Sequence, residues 1–565
     1  MNKQLYKFRF GKGSLLAVLA STLILGACKK TILQLPNPNA PTPQSSLITE
    51  SGIDAFAQGI FYKWVAFETG DGNLNFFDIA WYIESNMGDE DFTPYSNFGS
   101  RYPMNIATIT LPAPYNTVVK NPSGFATQLD ILRSFNTRAA GDGNSIQYEW
   151  DCFYFVNSQA NALLLALDNP DLKLTGDAAT KKKLLQAWAY YWKGYAYSKI
   201  GSMYLAGVVD DSPDSSAKGL TSGTYVTHDQ VIAAANSNFD QAASIFSGIS
   251  ENADYDATFK AIIPTFNLPN KVITPAMWVR QIKSFEARNY LVNRKVSTMT
   301  ASDWSTVQSL AAAGMTQNDN TLQWGVAPAG VPDLTKNFGF LLHPMMLHTV
   351  LGGLSFVSER LMQDIQPGDL RLKAFKPYPG GAVVNVLNRG IQFGSRYIPI
   401  DIEDTSGLGR YATEDYDPRA TVPIAPTWEE TALMVAEADI YSGNVNAGLI
   451  LIDQVRASQG AGLAPLAGSG ISQATAIAQL HSERRIGLYL HNTSWYDYRR
   501  WGITAPASQG GGRTGNIVVP GTLVGTAGYQ VLPCFIDYSF SDYWDIPQNE
   551  LDFNPPSGGS AQIKN

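Results

Sequence analysis

Apolar positions recur at three- and four-residue steps through two long parts of the chain. In "YEWDCFYFVNSQANALLLALDNP" the stripe Trp150, Tyr154, Asn157, Asn161 and Leu164 predicts a helix that Pro170 ends. In "KKKLLQAWAYYWKGYAYSKIGSMYLAG" the same spacing joins Leu185, Trp188, Ala189, Trp192, Tyr195, Ala196 and Lys199. The small residues Ala187, Ala189, Gly194 and Ala196 leave room for a second helix to approach. "THDQVIAAANSNFDQAASIFSGI" predicts a third helix with Thr227 as its N-cap. "SFEARNYLVNR" and "TASDWSTVQSLAAAGM" read as a helix pair. "TWEETALMVAEADIYSGNVNAGLILIDQVRASQG" reads as another, turning at Gly443-Asn444, with Gly in the left-handed position and Asn capping the second helix of the pair.

Helix pairs of about 30–35 residues with alternating small and large apolar positions are the signature of tetratricopeptide-like repeats. The expected fold is therefore mainly α. Helix-pair repeats occupy about 146–315 and 427–502, inside one domain running from 53 to 565. Residues 70–145, 318–425 and 503–542 lose the period and are rich in Gly, Asn, Pro and aromatics. They are expected as loop-rich insertions decorating one face of the solenoid.

The N-terminus has a different pattern. Lys3, Lys7, Arg9 and Lys12 precede an apolar run from Leu15 to Ala27. That run falls short of the roughly 20 residues a lasting membrane helix needs. A basic start, a short apolar stretch and small residues before a cut are the parts of a secretory leader. The ending Leu25-Gly26-Ala27-Cys28 resembles the lipobox of bacterial lipoproteins, which implies removal of 1–27 and lipidation of Cys28. An ordinary leader with an incidental cysteine is the plainer alternative. Several acyl chains hold a protein to a bilayer where one is marginal. Residues 28–52, with "PNPNAPTP", read as a spacer between lipid and fold.

Composition narrows the partners. Charged residues are 16% of the chain, against about 25% in an average protein. Aromatics are 12% and the net charge is −8. Beyond the leader the only basic run is Lys181-Lys182-Lys183, so nucleic acid is not an expected partner. The remaining cysteines, Cys152 and Cys534, are candidates for a disulfide or for two buried thiols.

Three C-terminal stretches carry a family likeness. They are Glu430-x-x-Leu433-x-x-Ala436-Glu437-Ala438 leading to Arg456; "SERRIGLYLHNTSWYDYRRWG" with Glu483-Arg484, Asp497 and Arg499-Arg500; and "YWDIPQNELDFNP" with Ile546-Pro547, Glu550, Asn554 and Pro555. In this order, at the end of a chain with a lipobox, they resemble the SusD/RagB family. Gly487-Leu488, His491-Asn492, Ser494 and Asp545 depart from its usual pattern. The residues themselves read as structural: Glu437 with Arg456 as one charge pair, and Glu483, Arg484, Asp497 and Arg500 as a second network. The resemblance implies a surface-exposed outer-membrane lipoprotein that binds a nutrient, usually a glycan. It also implies a SusC-like TonB-dependent transporter as partner. Members that bind peptides or protein fragments are an alternative, and a surface glycoside hydrolase is one from another class.

Sequence motifs offer little support for catalysis. There is no G-x-S-x-G, H-E-x-x-H, C-x-x-C or P-loop. His343 and His348 are awkwardly spaced for a shared metal on a helix. Asp89-Glu90-Asp91, Asp210-Asp211 and Glu403-Asp404 read as solvated acidic loops, with weak calcium binding as the functional alternative. No cofactor, metal or catalytic residue is assigned. A glycan needs aromatic platforms beside side chains that donate and accept hydrogen bonds. The aromatics in the insertions suit this better than those at helical spacing, and Trp81, Tyr95 and Trp324 are the candidate ligand contacts. Packing beneath a long loop is the alternative for each.

Overall fold

The protein was analysed as a computed structural model that describes residues 47–63, 76–122, 124–212, 223–265, 267–268, 271–325, 355–399 and 421–565. The leader, Cys28, most of the spacer, Phe338, Phe340, His343, His348 and Glu403-Asp404 lie outside them. The helices are α1 (Glu50–Lys63), α2 (Phe76–Met87), α3 (Gln128–Phe135), α4 (Gln147–Leu167), α5 (Ala178–Met203), α6 (His228–Ser247), α7 (Ala253–Ile262), α8 (Pro275–Val292), α9 (Ala301–Ala312), α10 (Glu359–Asp364), α11 (Trp428–Tyr441), α12 (Val445–Ser458), α13 (Gln473–Gly487), α14 (Ser494–Arg500) and α15 (Gln548–Phe553). The fold is mainly helical, as the periodicity predicts. The first helix begins at Glu50, so the spacer expected to reach residue 52 ends slightly earlier.

Helix α5 is the central rod. Trp188, Tyr191, Trp192, Tyr195 and Ala196 are all buried, and α4, α6 and α8 pack around it. Gly194 explains the approach of α6: a Cβ there would come within 2.6 Å of the Phe239 ring. The rings of Trp188 and Tyr191 each meet the Trp278 ring edge to face, with centroids 5.9 and 4.9 Å from it. Thr227 caps α6 in a reciprocal box with Gln230. A second helical group, α11 to α13, has its own core of Leu433, Ile440, Ile452 and Leu480. Gly443 adopts φ 88° and the backbone closes by Asn444 N–H to Asp439 O at 2.8 Å. Asn444 makes no side-chain cap, contrary to expectation. Its φ of −82° and ψ of 49° depart from the extended conformation that aims a capping side chain at the next N–H groups.

The three insertions do not decorate the solenoid separately. Strands Thr117–Lys120, Thr108–Leu111, Tyr529–Asp537, Arg513–Pro520, Gly394–Ser395 and Val383–Val384 form, in that order, one six-stranded antiparallel sheet. Asp91–Phe92, Phe356–Val357, Tyr397–Pro399 and Phe375–Pro377 form a four-stranded one. Each sheet takes strands from distant parts of the chain. Most are too short for their sequence to show a period of two.

Buried charge ties this β-region to the helices. Asp89-Glu90-Asp91 is not a solvated loop: the three residues are 3%, 2% and 1% exposed. Asp89 accepts from Arg360 Nη2 at 2.6 Å and from Tyr538 Oη at 2.7 Å. Burial alone would raise its pKa, but the Arg360 charge and hydrogen bonds hold it down at about 2. The C-terminal pairing also differs from the expected one. Glu437 pairs with Arg500, at 2.5 and 2.6 Å, and Arg456 pairs with Glu483 at 2.8 Å. Arg371, from the middle insertion, completes the Glu483 site at 2.6 Å. Asp545 pairs with Arg133 at 2.6 Å. The strap after it is held by Tyr225 Oη donating to Asn554 O at 2.7 Å. Cys152 and Cys534 are buried thiols that are not bonded to each other.

Candidate ligand-binding surface

The three candidate aromatics take three different positions. Trp81 was expected in a loop but lies in α2, only 1% exposed. Ile79, Ile83 and Met87 continue at helical spacing on either side of it and draw the segment into the core. Its ring lines an internal cavity with Tyr195, Lys199, Arg288, His491 and Tyr496. Among the described residues that cavity is narrow and has room for a few waters.

The polar groups around the cavity mostly answer one another. Lys199 Nζ contacts Glu84 at 2.8 Å, Glu149 at 3.2 Å, Asn492 Oδ1 at 3.1 Å and Tyr496 Oη at 3.2 Å. Burial opposes the Lys199 charge, but Glu149 and Glu84 outweigh it and raise its pKa. Glu149 is itself pushed well up by burial and by the Glu84 charge. Arg288 is paired with Glu430, and burial holds His491 down at about 3, hence neutral. Retaining glycosidases hold two carboxyl groups about 5 Å apart with sugar between them. Here an ammonium lies between the carboxylates, so the cluster is suited to holding helices together.

Trp324 lies on the strand Gln323–Gly325, paired in register with Val422. Its side chain lies outside what the structure describes. The neighbouring pair, Gln323 with Pro423, leads to Pro423 and Ile424, which form one wall of the Trp81 cavity. The structure thus brings the backbone of Trp324 near the Trp81 cavity.

Tyr95 is the candidate whose described ring reaches solvent. It follows the short strand Asp91–Phe92, and its N–H donates to Thr93 Oγ1 at 3.1 Å. Its half-buried ring carries the Arg389 guanidinium, with the central carbon 5.5 Å from the ring centroid. Arg389 Nη1 donates to Pro94 O at 2.9 Å, fixing the guanidinium beside Tyr95. The following turn is unusual. Phe98 has φ 59° and Gly99 φ 67°, and a Cβ on Gly99 would meet Gly143 O at 2.5 Å. A bulky residue in the left-handed region costs energy and is kept where the surroundings over-determine it. Asn97 stands exposed at the tip.

Beneath this turn lies Arg101, 1% exposed. Its guanidinium packs against the adjacent rings of Phe92 and Phe393, whose centroids lie 5.5 and 4.6 Å from its central carbon. Nε donates to Arg389 O and Nη2 to Ile391 O, both at 3.3 Å. Sequence reasoning finds Arg101 beside the insertion's aromatics and misses Arg389. Arg389 lies nearly 300 residues from Tyr95, and no local pattern announces their meeting.

Comparison with known proteins gives the fold its relatives. Residues 430–557 match the sequence model described as the SusD family. A putative sugar binding protein from Bacteroides vulgatus shares the fold at 14% identity and TM-score 0.53, covering 91% of this chain and 100% of its own. A SusD-like carbohydrate binding protein from Bacteroides fragilis does so at 14% identity and TM-score 0.53, covering 90% and 98%. A second SusD-like protein from Bacteroides fragilis is 13% identical at TM-score 0.50, covering 91% and 98%. No curated protein matches the sequence. The matched span contains Glu437, Arg484, Asp497 and Arg500, whose buried network closes the C-terminal helices, and Glu483, which pairs with Arg456. Residues 430–557 thus carry the C-terminal motifs of the SusD family, and the described fold is similar to that of SusD-like proteins.

Proposed function

We propose that the protein is a cell-surface nutrient-binding lipoprotein that captures a glycan and delivers it to a SusC-like TonB-dependent transporter. The observation that carries this reading is the fold shared over about nine-tenths of the chain with proteins described as sugar and carbohydrate binding. The leader 1–27 is removed, Cys28 is the lipid anchor, and the following spacer joins it to a single folded domain. Among the described residues no helix is long and apolar enough to cross a membrane. Tyr95 and Trp324 are the proposed ligand contacts, and Trp81 supports the core beneath them. The protein acts by binding, without turnover.

Calorimetry and product analysis on a glycan panel test this reading. Saturable binding with no product is expected, and Trp324→Ala weakens it without unfolding. Turnover that survives repurification would overturn the reading, and binding confined to peptides would replace the glycan. Cys28→Ala should yield a folded protein that no longer fractionates with the outer membrane. Retention there would remove Cys28 as the anchor.

A further inference from the structure

The turn around Tyr95 carries positive charge that the protein does not neutralise. Three arginines gather there: Arg101, Arg360 and Arg389. Asp89 is committed to Arg360, through Nε and Nη2 at 2.6 to 3.1 Å. Among the described residues neither Arg101 nor Arg389 pairs with a carboxylate; both bond only to backbone carbonyls.

Arg101 is the more telling of the two. A buried cation is ordinarily paired, because leaving it alone is costly. Burial pulls its pKa down to about 9, and the charges of Arg360 and Arg389 press in the same direction. Its Nη1 has no acceptor. A second buried donor, Nδ2 of Asn105, has none either. The two side chains flank one short segment. Arg101 donates to the carbonyls of Arg389 and Ile391, and a Cβ on Gly390 between them would lie 2.6 Å from Asn105 Oδ1. The segment is thus held by two Arg101 donors, with Arg389 extending from it over Tyr95.

We propose that the Tyr95–Arg389 surface binds a sugar ring bearing an anionic substituent, a carboxylate or a sulfate ester. This rests on the carbohydrate-binding reading above and names the class of glycan. The solvent-exposed part of the Tyr95 ring is the platform for the C–H face of a pyranose. Arg389 keeps Nε and Nη2 available, the geometry a carboxylate or sulfate takes best. Arg101, buried behind the same segment, touches no ligand. It is a positioning residue, which holds the Arg389 backbone and adds positive field in a poorly screened place.

Calorimetry with a galacturonate trisaccharide, its fully methyl-esterified form and a sulfated oligosaccharide of equal length tests the proposal. At least one acidic ligand should bind about tenfold or more tighter than the neutral ester, and the preference should shrink as salt rises. Arg389→Ala should abolish the preference, Arg389→Lys should restore part of it, and Tyr95→Ala should weaken every ligand. Thermal melts report whether each variant is folded. Equal binding of acid and ester, or a preference untouched by Arg389→Ala, overturns the proposal. If neutral glycans then bind, the carbohydrate-binding reading stands and only this inference fails. If no glycan in either panel binds, both fail.

Discussion

The helical repeats and the β-region are held together in different ways. In the repeats, neighbours in space are mostly neighbours in sequence. Helix α4 packs on α5, α5 on α6 and α11 on α12, through apolar and aromatic side chains. In the β-region the partners are remote. Gly394 pairs with Val518, and Asp91 with Val357. Short strands cannot bury enough apolar surface to hold such pairings alone. Buried ion pairs, Asp89 with Arg360 and Glu483 with Arg371, hold their ends instead. The repeats are thus built from local apolar contacts, and the β-region from long-range polar ones.

The largest test sets the two kinds of contact against each other. Asp89→Ala leaves Arg360 buried without its bidentate partner, and should cost about 3–5 kcal/mol in chemical denaturation. Trp81→Ala removes a buried ring from the apolar core and should cost a similar ~3–5 kcal/mol. If Asp89→Ala costs under about 1 kcal/mol, the polar contacts are ornamental and the comparison collapses.

A second change acts on the β-region alone. A Cβ at Gly394 would stand 1.8 Å from the carbonyl oxygen of Val383, a backbone atom that cannot rotate away. Gly394→Val should break the pairing of 383–384 with 394–395 and cost ~1–3 kcal/mol or somewhat more. Hydrogen exchange should show lost protection in 513–520 while α5 keeps its own. Uniform loss across both regions would mean that they unfold as one.

These regions also differ in what the sequence reveals. The stripe on α4, the Thr227 cap and the Gly443 turn are decided within a few residues, so periodicity and capping rules find them. Apart from the hairpin of 513–520 and 529–537, the sheets escaped because two- to four-residue strands carry no readable alternation and most of their partners lie elsewhere in the chain. The charge partners of Glu437 and Arg456 escaped for a related reason: several carboxylates and arginines crowd one motif, and only the fold chooses among them. Tyr95 was legible as a loop aromatic. Arg389, which gives it chemistry, was not.

The acidic strand next to α2 gives a smaller effect, read as pH dependence. Glu90 and Asp91 are buried together. Burial, and for Glu90 the neighbouring Asp91 charge, raises both above the usual carboxylate range. The folded protein therefore keeps protons that the unfolded chain has already lost above about pH 4.5. Stability contributed by these groups is fully present below that pH and is lost as pH rises to about 8. Glu90→Gln should flatten this slope in denaturation curves taken from pH 5 to about 8. An unchanged slope would assign the dependence elsewhere. In the repeats, Thr227→Ala should cost only ~1 kcal/mol, the loss of one exposed cap. A larger loss would mean that the helical part is less locally built than its sequence suggests.

Tyr95→Ala is expected to be the gentlest change to the fold. The ring is half-buried, its N–H bond to Thr93 survives the substitution, and Arg389 still reaches Pro94 O. A surface truncation of this kind shifts stability by about 0.5 kcal/mol or less. Trp81, drawn from the same insertion by the same sequence argument, should cost several times more because its ring is in the core. A pair of melts on the two variants measures that difference directly. If Tyr95→Ala proves as costly as Trp81→Ala, Tyr95 is a structural residue and the ligand platform loses its main support. A small cost leaves its ring and the guanidinium above it available to do something other than hold the fold.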